Sequence, residues 1–186
     1  KALGRSLLMI GEHARDGRLE LPETKTLSVP VDMPPALLNR FSIQAFNTLY
    51  YQRMLRQVSR QYVSYESFFY PLDGIQQWNR LYGKPGFIQY QFVIPKAAGL
   101  KGMSQILERI SASHKGSFLA VLKSFGAANN NYLSFPMEGY TPALDFKLEP
   151  GLLELLDELD SMVLDHGGRF YLAKDARMSE ATFKQS

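Results

Sequence analysis

Phe87-Ile88-Gln89-Tyr90-Gln91-Phe92-Val93-Ile94-Pro95 is the stretch on which the fold turns. Its β-branched and aromatic residues favour a strand, and a strand sends alternate side chains to opposite faces. One face carries Ile88, Tyr90, Phe92 and Ile94, an apolar set suited to a core. The other carries Phe87, Gln89, Gln91 and Val93, two amides between apolar neighbours. An amide buried without partners is costly. Two readings of that face stay open: it lines a polar cavity, or it is the solvated side of an antiparallel sheet.

Towards the C-terminus, Leu100, Met103, Ile106, Leu107 and Ile110 recur at helical spacing, and that helix is expected to end near Lys115-Gly116. Ser117 to Phe125 reads as a strand, 126–132 with its three consecutive asparagines as a loop, and Tyr140 to Leu148 as a further strand. Leu152, Leu155, Leu156, Leu159 and Val163 mark a second helix, closed by Gly167-Gly168. Arg169 to Leu172 is the final strand, and a helix begins from Asp175. The order β-α-β-β-α-β predicts an α+β domain, an antiparallel sheet with helices on one face in the ferredoxin-like split βαβ arrangement.

Towards the N-terminus, Gly83-Lys84-Pro85-Gly86 turns the chain into the opening strand. Tyr62, Tyr65, Phe68, Phe69 and Tyr70 crowd ahead of Pro71, suited to a core or a pocket wall, and Asp73 is expected to cap a short helix through Trp78 to Tyr82. Leu38, Phe41, Ala45, Leu49 and Gln52 form one helical stripe behind Pro34-Pro35, with Arg53 to Arg60 as its solvated end. Leu21 to Pro35, holding four prolines, is an extended linker or edge strand. Ser6 to Gly11 reads as a strand, followed by the polar turn Arg15-Asp16-Gly17-Arg18. The expected division is 1–35 strand and linker, 36–86 helical and aromatic-rich, 87–174 the βαββαβ domain, and 175–186 the start of a further segment.

With 186 residues, 45% hydrophobic and 21% charged, the chain has the composition of a globular protein. A net charge of +3 is too small to argue for nucleic acid. Cysteine is absent, which removes thiolate catalysis and disulfides, and His13, His114 and His166 lack ligand spacing for zinc. No apolar run reaches membrane-spanning length. A start at Lys1 rather than Met suggests an excised fragment or a processed product.

Two lysines and a carboxylate stand out. Lys123 shares a strand face with Leu119, Val121 and Phe125, so it either escapes at the strand end or serves an anionic or hydroxyl partner. Lys174 follows the last strand, where spacing alone reads as a surface turn. Asp145 is a lone carboxylate in the strand from Tyr140, more often an ion-pair partner than a base. An RNA-binding module shares this element order, but Lys115-Gly116-Ser117-Phe118 departs from its strand signature.

Several strings resemble one family. Phe69-Tyr70-Pro71-Leu72-Asp73, Trp78-Asn79-Arg80, Tyr82-Gly83, the run from Gly86 to Pro95, Ser134-Phe135-Pro136, Gly167-Gly168-Arg169 and Tyr171-Leu172-Ala173-Lys174-Asp175-Ala176-Arg177 carry the resemblance. In colinear order they are similar to the C-terminal half of the decaprenylphosphoryl-ribose oxidases, FAD-dependent oxidoreductases of the vanillyl-alcohol oxidase type. The resemblance implies that a domain absent from this chain holds most of the FAD, while this α+β part covers the flavin ring and binds substrate. It implies oxidation of a secondary hydroxyl of a sugar or polyol to a ketone by hydride transfer to flavin, with polyprenylphosphoryl ribose as one substrate. An aldonolactone- or alditol-type FAD oxidase is the near alternative, and a non-catalytic ligand- or RNA-binding domain the distant one.

Carried across by position, Lys174 matches the family lysine at flavin and substrate. Gln91, with Gln89 beside it, matches a substrate-side glutamine, and Lys123 a lysine of the same pocket. Phe69, Tyr70, Trp78 and Thr141 are placed with them on the substrate side. Phe69-Tyr70 stands where the family has Tyr-His, and Tyr140-Thr141-Pro142-Ala143 where it has Trp-Asn-Ile-Cys, so an amide and a thiol are missing from the pocket wall. The resemblance further implies a small-molecule or lipid-linked sugar substrate, an NAD-dependent reductase partner, no nucleic acid and no membrane span. The expected location is cytoplasmic, with contact to the membrane surface, and the chain taken alone is expected to be inactive.

Overall fold

A computed structural model of the chain describes residues 7–15, 17, 26–52, 54, 58–70, 73–116 and 119–186. In chain order the elements are strand β1 (Leu27–Ser28), helix α1 (Arg40–Gln52), helix α2 (Tyr65–Phe69) and strand β2 (Ile75–Gln76). A short 3₁₀ turn, Trp78–Tyr82, leads into β3 (Phe87–Pro95), α3 (Gly99–Ser113), β4 (Ala120–Phe125) and β5 (Gly139–Lys147). The chain ends with α4 (Leu152–Asp165), β6 (Arg169–Phe170), a 3₁₀ turn at Leu172–Lys174, and α5 (Glu180–Gln185). Among the described residues no helix is long and apolar enough to cross a membrane.

The four later strands form one antiparallel sheet in the order β4-β5-β3-β6. That order is the one a split βαβ unit produces, and the α+β expectation holds. The opening strand occupies the centre, with Ile88 opposite Phe146, Tyr90 opposite Leu144, and Phe92 opposite Phe170. These residues face α3 and α4, and the core is built from Phe92, Ile94, Ile106, Phe146, Leu152, Leu156, Leu159 and Val163, all nearly or wholly buried.

The α4 leucines follow the helical repeat onto one face, so the helix buries them together. Its end is a Schellman turn. The Gly168 N–H donates to the Val163 carbonyl at 2.9 Å and the Gly167 N–H to the Leu164 carbonyl at 2.8 Å, with Gly167 at φ 68°. Gly168 also lets β6 approach the sheet: a Cβ there would lie 2.5 Å from the Val93 carbonyl oxygen. Leu156 is fully buried between α4 and the sheet. Leu156→Ala is expected to lower the unfolding free energy by about 2–5 kcal/mol, measured by urea denaturation. A loss under about 1 kcal/mol would mean the site collapses onto the gap.

The structure corrects several expectations. Residues 7–11 form no strand, and Ser6 lies outside the described residues, as do Asp16 and Arg18 of the expected turn. Within Leu21 to Pro35, Leu27–Ser28 is a short strand paired in parallel with Ile75–Gln76, and 29–34 are irregular with a bend at Val31. Helix α1 forms, but its stripe faces outward, with Phe41 67% and Leu49 69% exposed, because α3 and α4 already fill the core. Among the described residues Asp73 caps no helix: its backbone N–H closes a turn on the Tyr70 carbonyl, and the position before Trp78 is Gln77 in a left-handed conformation. Leu100 is 86% exposed, since Gly99, Gly102, Met103 and Ile106 take the inward face of α3. That helix ends at Ser113 with left-handed His114 as its cap, near Lys115-Gly116 as expected. The final strand stops at Phe170, and the last helix starts at Glu180, capped by the Ser179 hydroxyl.

Candidate functional site

The sheet face away from the helices is neither bare nor an ordinary core. At one end, Tyr82 stacks on Phe87 at 4.5 Å between ring centroids, with the Trp78 ring 6.3 Å from Tyr82. At the other end, buried Phe135 stacks on Tyr171 at 4.9 Å and meets Phe125 edge-on at 5.6 Å. Between these aromatic clusters runs a polar strip from Gln89, Gln91, Thr141 and Asp145, a consequence of strand alternation in paired strands.

Asp145 is the hub of that strip. It is 1% exposed, and register places it opposite Gln89. Gln89 Nε2 donates to its Oδ1 at 2.8 Å, while Trp78 Nε1 and the Tyr82 hydroxyl donate to its Oδ2 at 3.2 and 3.3 Å. To the sequence reading of Asp145 as an ion-pair partner the structure adds three neutral donors, Gln89, Trp78 and Tyr82. Burial, with the Asp145 charge adding to it, pushes the Tyr82 phenol well up, so Tyr82 remains a donor. The 3₁₀ turn that delivers Trp78 and Tyr82 is tied down through Arg80, whose Nη1 donates to the carbonyls of Val29 at 3.1 Å and Pro30 at 2.7 Å. That contact gives the proline-rich N-terminal strand a purpose: it braces the Trp78 turn.

Lys174 reaches the same place from the C-terminal side. The Tyr171 N–H donates to the Gln91 carbonyl at 3.0 Å, and the Lys174 N–H to the Tyr171 carbonyl at 2.9 Å, which closes the turn carrying the lysine. Beyond it, Arg177 Nη2 donates to Asp160 Oδ1 at 2.8 Å and Nη1 to Asp157 Oδ1 at 2.6 Å. The Tyr90 hydroxyl donates to Asp160 Oδ1 at 2.8 Å, and the guanidinium lies 6.0 Å from the Tyr90 ring centre. Burial pushes the Asp160 carboxyl up from its ordinary value, and the bonds from Arg177 and Tyr90 offset part of that rise. Lys174 thus sits between two anchors, exposed at its own position.

Trp78, Phe87, Gln89, Asp145 and Lys174 line one open groove of about 350 Å³. A narrower cleft shares Gln89 and Lys174 with it and reaches Gln91 and Arg177. Of the residues singled out in the sequence, Lys174, Gln89, Gln91 and Trp78 are therefore gathered together. Thr141 is 1% exposed and accepts from Gln91 Nε2 at 3.3 Å, so it sits behind the amide. Lys123 is exposed on edge strand β4 opposite Thr141, having escaped towards water. Phe69 and Tyr70, 58% and 56% exposed on and after α2, do not line the groove. Sequence reasoning missed the hub role of Asp145 and the Phe135–Tyr171 stack. The available signal was the shared face of Gln89 and Asp145, readable once their strands are paired.

The groove combines an aromatic wall, an exposed ammonium and amides with free carbonyl oxygens, groups that suit a polyhydroxylated ligand with an anionic or charge-developing centre. No family model matches the chain. A protein described as lying in the mprA 5′ region of Streptomyces coelicolor is 35% identical over 77 residues, covering 41% of this chain and 21% of that protein. Decaprenylphosphoryl-β-D-ribose oxidase of Mycolicibacterium smegmatis is 38% identical over 165 residues, which is 89% of this chain and 35% of the oxidase. Nearly the whole chain is thus matched, and it spans about a third of the length of that relative. Over the segment that it spans, the chain resembles a decaprenylphosphoryl-β-D-ribose oxidase.

Proposed function

We propose that this chain is the substrate-side part of an FAD-linked oxidoreductase that oxidises a secondary hydroxyl of a sugar or polyol, polyprenylphosphoryl ribose foremost. The observation that carries the reading is the convergence of Trp78, Gln89 and Lys174 on one groove in a chain 38% identical to a ribose oxidase. The residues present would suit a flavin and a polyhydroxylated substrate. Lys174 is an exposed cation, and Tyr171, stacked on Phe135, lines the narrower cleft with it. The resemblance assigns the dinucleotide phosphates to the part of such an oxidase that this chain does not span. Lys174 and Tyr171 would hold the ring, and bound flavin would supply the hydride acceptor.

The chain's own residues orient the substrate and stabilise charge. Gln89 and Gln91 present amide oxygens to hydroxyl groups, and Trp78 offers an apolar face to a sugar ring. Lys174 stabilises negative charge as the hydroxyl proton leaves. Ala143 lies opposite Gln91 in the sheet, where the family pattern has a cysteine. The amide and thiol missing from Tyr140 to Ala143 support the neighbouring reading, an oxidase of another polyol or an aldonolactone, as the second candidate. The decisive experiment adds farnesylphosphoryl-β-D-ribofuranose, xylitol or an aldonolactone anaerobically to the intact protein and follows loss of flavin absorbance. Bleaching by the lipid-linked ribose is expected. Bleaching by xylitol or the lactone alone would move the assignment to the second candidate, and no flavin in the purified intact protein would end both.

A further inference from the structure

Asp145 determines which way the Gln89 amide points. An ionised carboxylate only accepts hydrogen bonds, so the end of Gln89 that meets Asp145 Oδ1 at 2.8 Å is its NH₂ group. The carbonyl end, Oε1, then points away. It takes no hydrogen bond among the described residues and is not sealed from solvent, and Gln89 lines the groove beside Lys174 and Trp78. Gln91 makes a similar bond to the Thr141 hydroxyl at 3.3 Å. A hydroxyl can donate as well as accept, so the Gln91 amide can turn over to suit its ligand. The Gln89 amide cannot, because a flip would set its carbonyl against a carboxylate oxygen.

We infer that Asp145 sets the hydrogen-bonding polarity of the groove: by holding the Gln89 NH₂ it turns Oε1 outward as a fixed acceptor, so the site selects a ligand offering a hydroxyl donor there. The inference rests on the sugar or polyol reading above and adds a selectivity rule to it. A ligand with an ether, a ketone or fluorine at that position sets acceptor against acceptor and is rejected, as sites built to pair a hydroxyl reject analogues lacking it. Asp145 acts here as a positioning residue, through Gln89, while Trp78 and Tyr82 keep its other oxygen occupied.

Asp145→Asn tests this with almost no change of shape. Its oxygen stays with the two donors Trp78 and Tyr82, so its NH₂ faces Gln89. The Gln89 amide then turns over, and the outward atom changes from acceptor to donor. The probes are farnesylphosphoryl-β-D-ribofuranose and its deoxyfluoro analogues, one for each sugar hydroxyl, with dissociation constants measured by calorimetry on the intact protein. In the parent, one analogue is expected to bind at least about tenfold more weakly than the hydroxyl compound. In Asp145→Asn that ratio falls to within about threefold, while the hydroxyl compound, able to accept as well as donate, loses less than the ratio does. Gln89→Met, which has no outward acceptor and leaves Asp145 in place, gives the same collapse and serves if Asp145→Asn does not fold. An unchanged ratio in either folded variant, or a parent that discriminates against no analogue, overturns the polarity role. If none of the sugars binds, the sugar reading itself falls and takes this inference with it.

Discussion

Lys174→Ala in the intact protein is expected to leave FAD bound and to slow reduction of the flavin by substrate about 10²–10³-fold, the usual loss when one preorganised electrostatic group is removed. Lys174 is exposed in a turn whose shape comes from backbone hydrogen bonds, so truncating its side chain leaves the turn intact. Its effect on stability should stay within about 0.5 kcal/mol. Substrate affinity should change less than the rate, because the ammonium contributes most when the departing hydroxyl proton leaves charge behind. Lys174→Arg keeps the charge but displaces it, and should recover part of the rate. Stopped-flow bleaching of flavin absorbance separates these outcomes. A Lys174→Ala protein reduced within about threefold of the parent would remove the lysine from the reacting centre.

Arg177→Ala carries the second large effect, and it acts on stability. The Arg177 and Asp160 side chains are 11% and 5% exposed, and the pair is bonded at 2.8 Å. Removing the guanidinium leaves a buried carboxylate with the Tyr90 hydroxyl as its remaining described donor. Breaking such a pair typically costs about 3–5 kcal/mol. The exposed Asp157 partner adds little, since it loses only a solvated contact. The pH dependence has a definite sign. Burial already raises the Asp160 carboxyl, and losing Arg177 raises it further. A folded state that binds more protons than the unfolded one loses stability as pH rises through that window. The cost of Arg177→Ala should therefore be largest near neutral pH and shrink on acidification, as Asp160 takes up a proton. Urea unfolding of parent and variant at two pH values measures it. A cost under about 1 kcal/mol at neutral pH would show that the pair is solvated in solution.

What could be read from the sequence was what local repetition encodes. The alternation from Phe87 to Pro95 and the leucine repeat of α4 placed a central strand and its covering helix, because side-chain direction follows from the backbone period alone. The Gly167-Gly168 stop was legible for the same reason: left-handed φ is a local need. Leu100 and the α1 stripe misled because periodicity identifies an apolar face without saying what lies opposite it. Gln77 was invisible as the pivot before Trp78, since nothing in a glutamine announces a left-handed conformation. The site was legible only in part. Gln89, Gln91 and Lys174 were named individually, yet the meeting of Gln89 with Asp145 spans 56 positions and depends on strand register. Arg80 bracing the N-terminal strand is equally non-local, and no spacing rule points to it.

Trp78 is the single tryptophan of this chain, and it donates to the carboxylate that organises the groove. Indole emission responds to the polarity and charge around the ring, so the tryptophan fluorescence of these residues reports one location. A ligand settling against Trp78 should shift or quench that signal, while events on α1 or at the α3–α4 surface leave it unchanged. The bond to Asp145 thus supplies the chain with an optical probe of groove occupancy that needs no label.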